Sequence, residues 1–140
     1  MRGLAWVLVS MAGGCFGCAG EASRPLAPTQ GIATCEGTEG CRAAVALAPA
    51  DPHLRVLWGR ELEEASMATM AAREFRGALR LAQDPSDPVD EAARGLIRLG
   101  DAAGCVSLLD EQLAGQRSEA FVGVLRQARR RCEDAAQKTW

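Results

Sequence analysis

The chain has 140 residues and a formal net charge of −2, with Ala and Leu dominant, no Tyr, and Arg used almost to the exclusion of Lys, since Lys138 stands alone. That charge leaves no electrostatic footprint for nucleic acid, and the length fits one small domain with a modest core. The Arg and Ala skew reads as the coding bias of a GC-rich bacterial genome rather than as a binding requirement.

The first residues read as an export signal. Arg2 supplies a positive start, Leu4 to Met11 ("LAWVLVSM") an apolar run, and Ala12, Gly13 and Gly14 the small residues of a processing site. The run falls far short of the ~20 residues that span a bilayer. A buried first helix of a cytosolic fold is the alternative, but "GGCFGCAG" would stop it abruptly. "AGGC", ending at Cys15, resembles the lipobox of bacterial lipoproteins, in which small or apolar residues precede an acylated Cys. "CFGC", ending at Cys18, is the second match, with the bulky Phe16 inside it. The resemblance implies a signal peptide over 1–14, a palmitate-bearing lipid anchor on Cys15 (alternative Cys18) and attachment to a membrane. The residue directly after the anchor, Phe16 (or Ala19), is not Asp, which by the family's sorting rule implies the outer membrane. Plain secretion, with cleavage near Ala19 or Ala22, is the alternative.

Six cysteines are present: Cys15, Cys18, Cys35, Cys41, Cys105 and Cys132. Lipidation at Cys15 leaves an odd number of thiols, whereas lipidation at Cys18 leaves four; side-chain fit to the lipobox favours Cys15, parity favours Cys18, and the lipobox is the more specific signal. An exported chain meets an oxidising compartment, so Cys35, Cys41, Cys105 and Cys132 are disulfide candidates with three connectivities. "CEGTEGC" closes a tight polar loop, and a local Cys35–Cys41 bridge is the simplest pairing. Cys35, Cys41, Cys105 and Cys132 contain no CxxC spacing and the sole His, His53, has no partner pattern, so no metal site is expected.

Residues 15–37 mix Pro, Ser, Gly and Thr without apolar period and read as a flexible tether. The helical pattern occupies 38–140. Thr38 is the expected N-cap of the first helix, which Pro49 stops. Asp51 caps the next, with Pro52 at its first position. Leu54, Trp58, Leu62, Ala65, Ala72, Phe75, Leu79 and Ala82 then share one face, so 52–83 is either one long helix or a hairpin bent near Ser66. After "DPSDP" comes a hairpin, Val89–Leu99 and Ala102–Leu113, turned at Gly100–Asp101, which also caps the second helix. Ser118 caps the last helix, Glu119–Ala136, with Phe121, Val122, Leu125, Ala128 and Cys132 inward. If that helix packs antiparallel on the one before it, Cys132 meets Cys105; two buried free thiols are the alternative. No strand-like alternation exists, and the expected class is all-α.

Two stretches resemble helical repeats. Asp84 to Leu113 resembles one HEAT-type unit at Asp87, Val89, Ala92, Ala93, Leu96, Leu99, Gly100, Asp101, Ala103, Leu109 and Leu113. The hairpin before it is similar to a tetratricopeptide unit at Gly59, Ala71, Phe75 and Ala78, although Arg55 and Leu62 replace the usual aromatics. These resemblances imply antiparallel hairpins stacked as a short α-solenoid-like domain that contacts protein through a groove.

No triad, phosphate loop or cofactor motif accompanies them, so neither catalysis nor a cofactor is expected. His53 reads as an exposed helix-start residue. Asp84, Asp87 and Asp90 lack the Gly and distal Glu of an EF-hand loop and read as capping groups rather than calcium ligands. Glu61, Glu63 and Glu64 read as a solvated face. Arg126, Arg129 and Arg130 are candidates for contact with an anionic partner, against a solvated face that favours the helix dipole. The functional expectation is an envelope lipoprotein serving as a non-catalytic interaction or assembly module of an outer-membrane secretion, pilus or motility machine. A structural envelope or secreted protein with no dedicated partner is the alternative.

Overall fold

In the computed structural model, which describes residues 35–138, the apolar periodicity resolves into six helices, with no strand among the described residues. They are α1 (Gly37–Leu47), α2 (Pro52–Glu64), α3 (Ala68–Leu81), α4 (Val89–Arg98), α5 (Ala102–Ala114) and α6 (Glu119–Lys138). The protein is all-α. Cys15, Cys18 and most of the expected tether lie outside the described residues.

Local chemistry accounts for most helix ends. The Asp51 carboxylate accepts from the His53 and Leu54 amides at 2.8 and 3.4 Å, and Pro52 lacks the amide that would go unpaired there. Ser118 Oγ accepts from the Phe121 amide at 3.3 Å. In the loop before α4, Asp87 accepts from the amides of Gln83 and Asp84, and Asp84 from the amide and hydroxyl of Ser86. At Gly100 the chain turns left-handed (φ 78°), and the Gly100 and Asp101 amides donate back to the Ile97 and Leu96 carbonyls. That is the double bond of a Schellman cap.

Residues 52–83 form two helices, and Ser66 marks the break. Its φ of 60° is left-handed, and the Ser66 and Met67 amides donate to the Glu63 and Leu62 carbonyls in the same double pattern as at Gly100. Other expectations need correction. Thr38 is not a cap: α1 starts one residue earlier, at Gly37, with Glu36 at the cap position and no side-chain cap bond. The Cys35–Cys41 disulfide, with Cα atoms 4.2 Å apart, ties the residue before the N-cap onto the fifth residue of the helix. The chain therefore reverses at Glu36–Gly37, and the positive φ of 69° falls on the glycine. Asp101 does not cap α5 through its side chain, because Arg76 of α3 takes that carboxylate (Nε to Oδ2, 2.7 Å). Ala65 is exposed at the end of α2, and Val122 is only half-buried, with Val124 packing on the core instead.

Helices adjacent in sequence pack on one another from α1 through α6, and α4 also meets α2 and α6 while α3 meets α5. The Cys105–Cys132 disulfide joins the first turns of α5 to the last turns of α6, its two residues fully buried and their Cα atoms 6.0 Å apart. Asp110, later in α5, pairs with Arg129, earlier in α6, so the two helices run antiparallel. At the centre, Phe75 of α3 lies against Gly59 of α2 and Gly95 of α4. A Cβ at these glycines would fall 2.8 and 2.6 Å from the ring, so only glycine lets the three helices approach this closely. Gln112 of α5 closes the end of α3 by donating to the Leu79 and Arg80 carbonyls at 2.8 and 3.0 Å.

A candidate binding groove

On α3, Ala71, Glu74, Phe75 and Ala78 follow helical spacing on the inward face, so a carboxylate stands in an otherwise apolar stripe. Glu74 is 1% exposed. A buried carboxylate must be paired, and α2 provides the partner. Arg55 Nη1 donates to Glu74 Oε2 at 2.8 Å, while its Nε and Nη2 donate to the Pro49 carbonyl at 3.2 and 3.0 Å. Arg73 Nε takes the other oxygen at 3.1 Å. The stem of Arg55 passes over Gly77, where a Cβ would come within 3.1 Å of its Cδ. One buried carboxylate thus fixes a guanidinium at the meeting of α1, α2 and α3.

Around this pair opens a cavity of about 580 Å³, with Val45, Trp58 and Leu81 as apolar lining and Arg42, Arg73 and Arg80 beside them. Arg42 pairs only with Glu39, its neighbour on the exposed face of α1 (2.6 Å), and Arg80 makes no side-chain ion pair among the described residues. Four guanidiniums therefore share the lining with a single carboxylate. Trp58 is 9% exposed, and its indole Nε1 is buried without an acceptor among the described residues. The groove offers guanidinium N–H donors and positive charge beside an apolar surface, a chemistry suited to holding anions.

A second recess, between α2 and α4, is different because its three glutamates outnumber its two arginines, both of which are paired. Arg98 grips Glu63 with two bonds of 2.8 Å, and Arg60 pairs with Glu91 at 3.0 Å. The bond from Arg98 holds the Glu63 carboxyl below its usual range despite partial burial, and Glu63 in turn raises Arg98. Glu63 is therefore half of a clasp between helices and not merely part of a solvated face.

The expected site residues are distributed as follows. Cys35, Cys41, Cys105 and Cys132 form the two disulfides. The α6 arginines do not act together: Arg129 is held by Asp110 and Glu133, and Arg131 pairs with Asp90, leaving Arg126 and Arg130 exposed and without an ion pair among the described residues. Asp84 and Asp87 close their own loop, Asp90 pairs with Arg94 and Arg131, and no three His, Cys, Asp or Glu side chains converge as a metal site among the described residues. His53 is exposed, with its Nε2 3.9 Å from Asp87. The Asp84 carboxyl is held below its usual range by the Ser86 hydroxyl and amide.

Arg42, Arg73, Glu74 and Arg80 were not among the expected site residues. The signal that marks them is Glu74 within the apolar stripe of α3, with an arginine directly before it. No helix among the described residues is long and apolar enough to cross a membrane. No family model, curated protein or solved structure matches the chain.

Proposed function

We propose that the protein is an envelope lipoprotein, anchored to the outer membrane through Cys15, whose helical domain is a non-catalytic interaction or assembly module for a machine of that envelope. The observation that carries this reading is the groove of α1, α2 and α3, where guanidiniums in excess of carboxylates surround the wall formed by Trp58 and Leu81. The contacts linking α2, α4 and α6, and separately α3 and α5, support a short stack of hairpins. The lipobox-like "AGGC" supports the anchor.

Affinity purification of the full chain from detergent-solubilised envelopes, with mass spectrometry of its N-terminal peptide, tests the reading. The expected result is an acylated Cys15 and one protein recovered in fixed proportion to the chain. An N-terminus without a modified cysteine removes the anchor. Recovery of the chain alone favours a structural role with no dedicated partner.

A further inference from the structure

We propose that the groove of α1, α2 and α3 receives an acidic segment of a partner protein, with one apolar side chain against Trp58 and Leu81 and carboxylates on Arg42, Arg73 and Arg80. The inference rests on the binding-module reading above and adds the chemistry of the partner.

Charge complementarity decides the occupant. Every nitrogen of the Arg55 guanidinium is already engaged, by Pro49 and Glu74, so Arg55 is part of the frame. Arg73 uses only Nε on Glu74, which leaves its two terminal nitrogens. Arg80 has no ion-pair partner among the described residues, and Arg42 holds only the solvent-exposed Glu39, a pair readily exchanged for another carboxylate. The local sign is positive although the chain as a whole carries −2. Guanidinium–carboxylate bonds are shorter and stronger than neutral ones, and three such groups around an apolar surface select a segment with acids flanking one hydrophobic residue. The volume, about 580 Å³, suits a few side chains. A bilayer is a poor occupant, because a flat surface touches convex faces and cannot enter a recess between three helices.

Trp58 reports on the site. Trp6, Trp58 and Trp140 are the three tryptophans, so the full chain carrying W6F and W140F, purified in detergent, emits from Trp58 alone. The probes are a capped peptide of glutamates around one leucine, its glutamine counterpart, and phosphatidylglycerol vesicles. The glutamate peptide is expected to shift Trp58 emission and to bind at least about tenfold more tightly than the glutamine peptide, with affinity falling as salt is raised. R42Q/R80Q alters two exposed side chains, is expected to keep the thermal midpoint, and should lose about tenfold in affinity. Equal binding of the two peptides, unchanged binding by folded R42Q/R80Q, or a response to the vesicles alone overturns the proposal. A protein that co-purifies equally with R42Q/R80Q and the unaltered chain leaves the binding-module reading intact and removes this one.

Discussion

Ser66 and Gly100 occupy equivalent positions in two helix caps, yet only one of them is glycine. A left-handed residue with a Cβ is strained by about 1–2 kcal/mol, and glycine recovers that at a smaller cost in unfolded-state entropy. Ser66→Gly is therefore expected to stabilise the protein by about 0.5–1 kcal/mol, seen as a rise of a few degrees in the thermal midpoint. A lowered midpoint would show that the serine makes a compensating interaction. The contrast also explains why the break escaped the sequence. Gly100 announces a left-handed turn, whereas "EEASMA" carries no such residue and Leu62, Ala65, Ala72 and Phe75 recur at steps of three or seven across it. Asp51 and Ser118 were legible because each accepts from an amide two or three residues on, and Pro52 because it lacks the amide that would go unpaired there. Glu74 was not, because its meaning depends on Arg55, nineteen positions earlier. Thr38 misled for the converse reason: a good capping residue was overruled by a covalent bond from Cys35.

Between elements, the Arg98–Glu63 clasp and the Cys105–Cys132 bridge fix neighbouring helices in register. The Glu63 carboxyl is held below its ordinary value of 4.5 chiefly by the bond from Arg98. A carboxylate favoured in the folded state stabilises above its unfolded pKa, and that contribution is lost as pH falls through the folded value. Stability should therefore decline in acid, from about pH 4.5 downward, and Glu63→Gln should shallow that decline while costing no more than about 1 kcal/mol at neutral pH. Urea titrations across pH measure both, and an unaltered acid limb in the variant would sever the link. The buried bridge closes a loop with a sequence separation of 27. By loop entropy it is worth roughly 3.5 kcal/mol, a large share of the ~5–15 kcal/mol stability of an ordinary domain. Replacing Cys105 and Cys132 together by alanine should shift the urea midpoint accordingly. Cys35–Cys41 closes only a short loop, so its loss should shift the midpoint less.

At the scale of the whole molecule, the two disulfides hold opposite ends of the helical array, and the recess opens at the α1 end. The apolar periodicity indicated a helical protein, but the sequence directed attention to the arginines of α6. Those sit close together in the chain, and the fold spends Arg129 and Arg131 on Asp110, Glu133 and Asp90. The groove arginines come from three helices, so only folding reveals that they converge. Site-specific photo-crosslinking in the native envelope tests the central claim most directly, with the reactive group at Ala46, an exposed residue of the groove lining. The account predicts a single crosslinked protein whose captured peptide is rich in Asp and Glu, lost when Arg42 and Arg80 are both changed to Gln. Crosslinks to lipid alone, or to a peptide without acidic residues that persists in that variant, would contradict it.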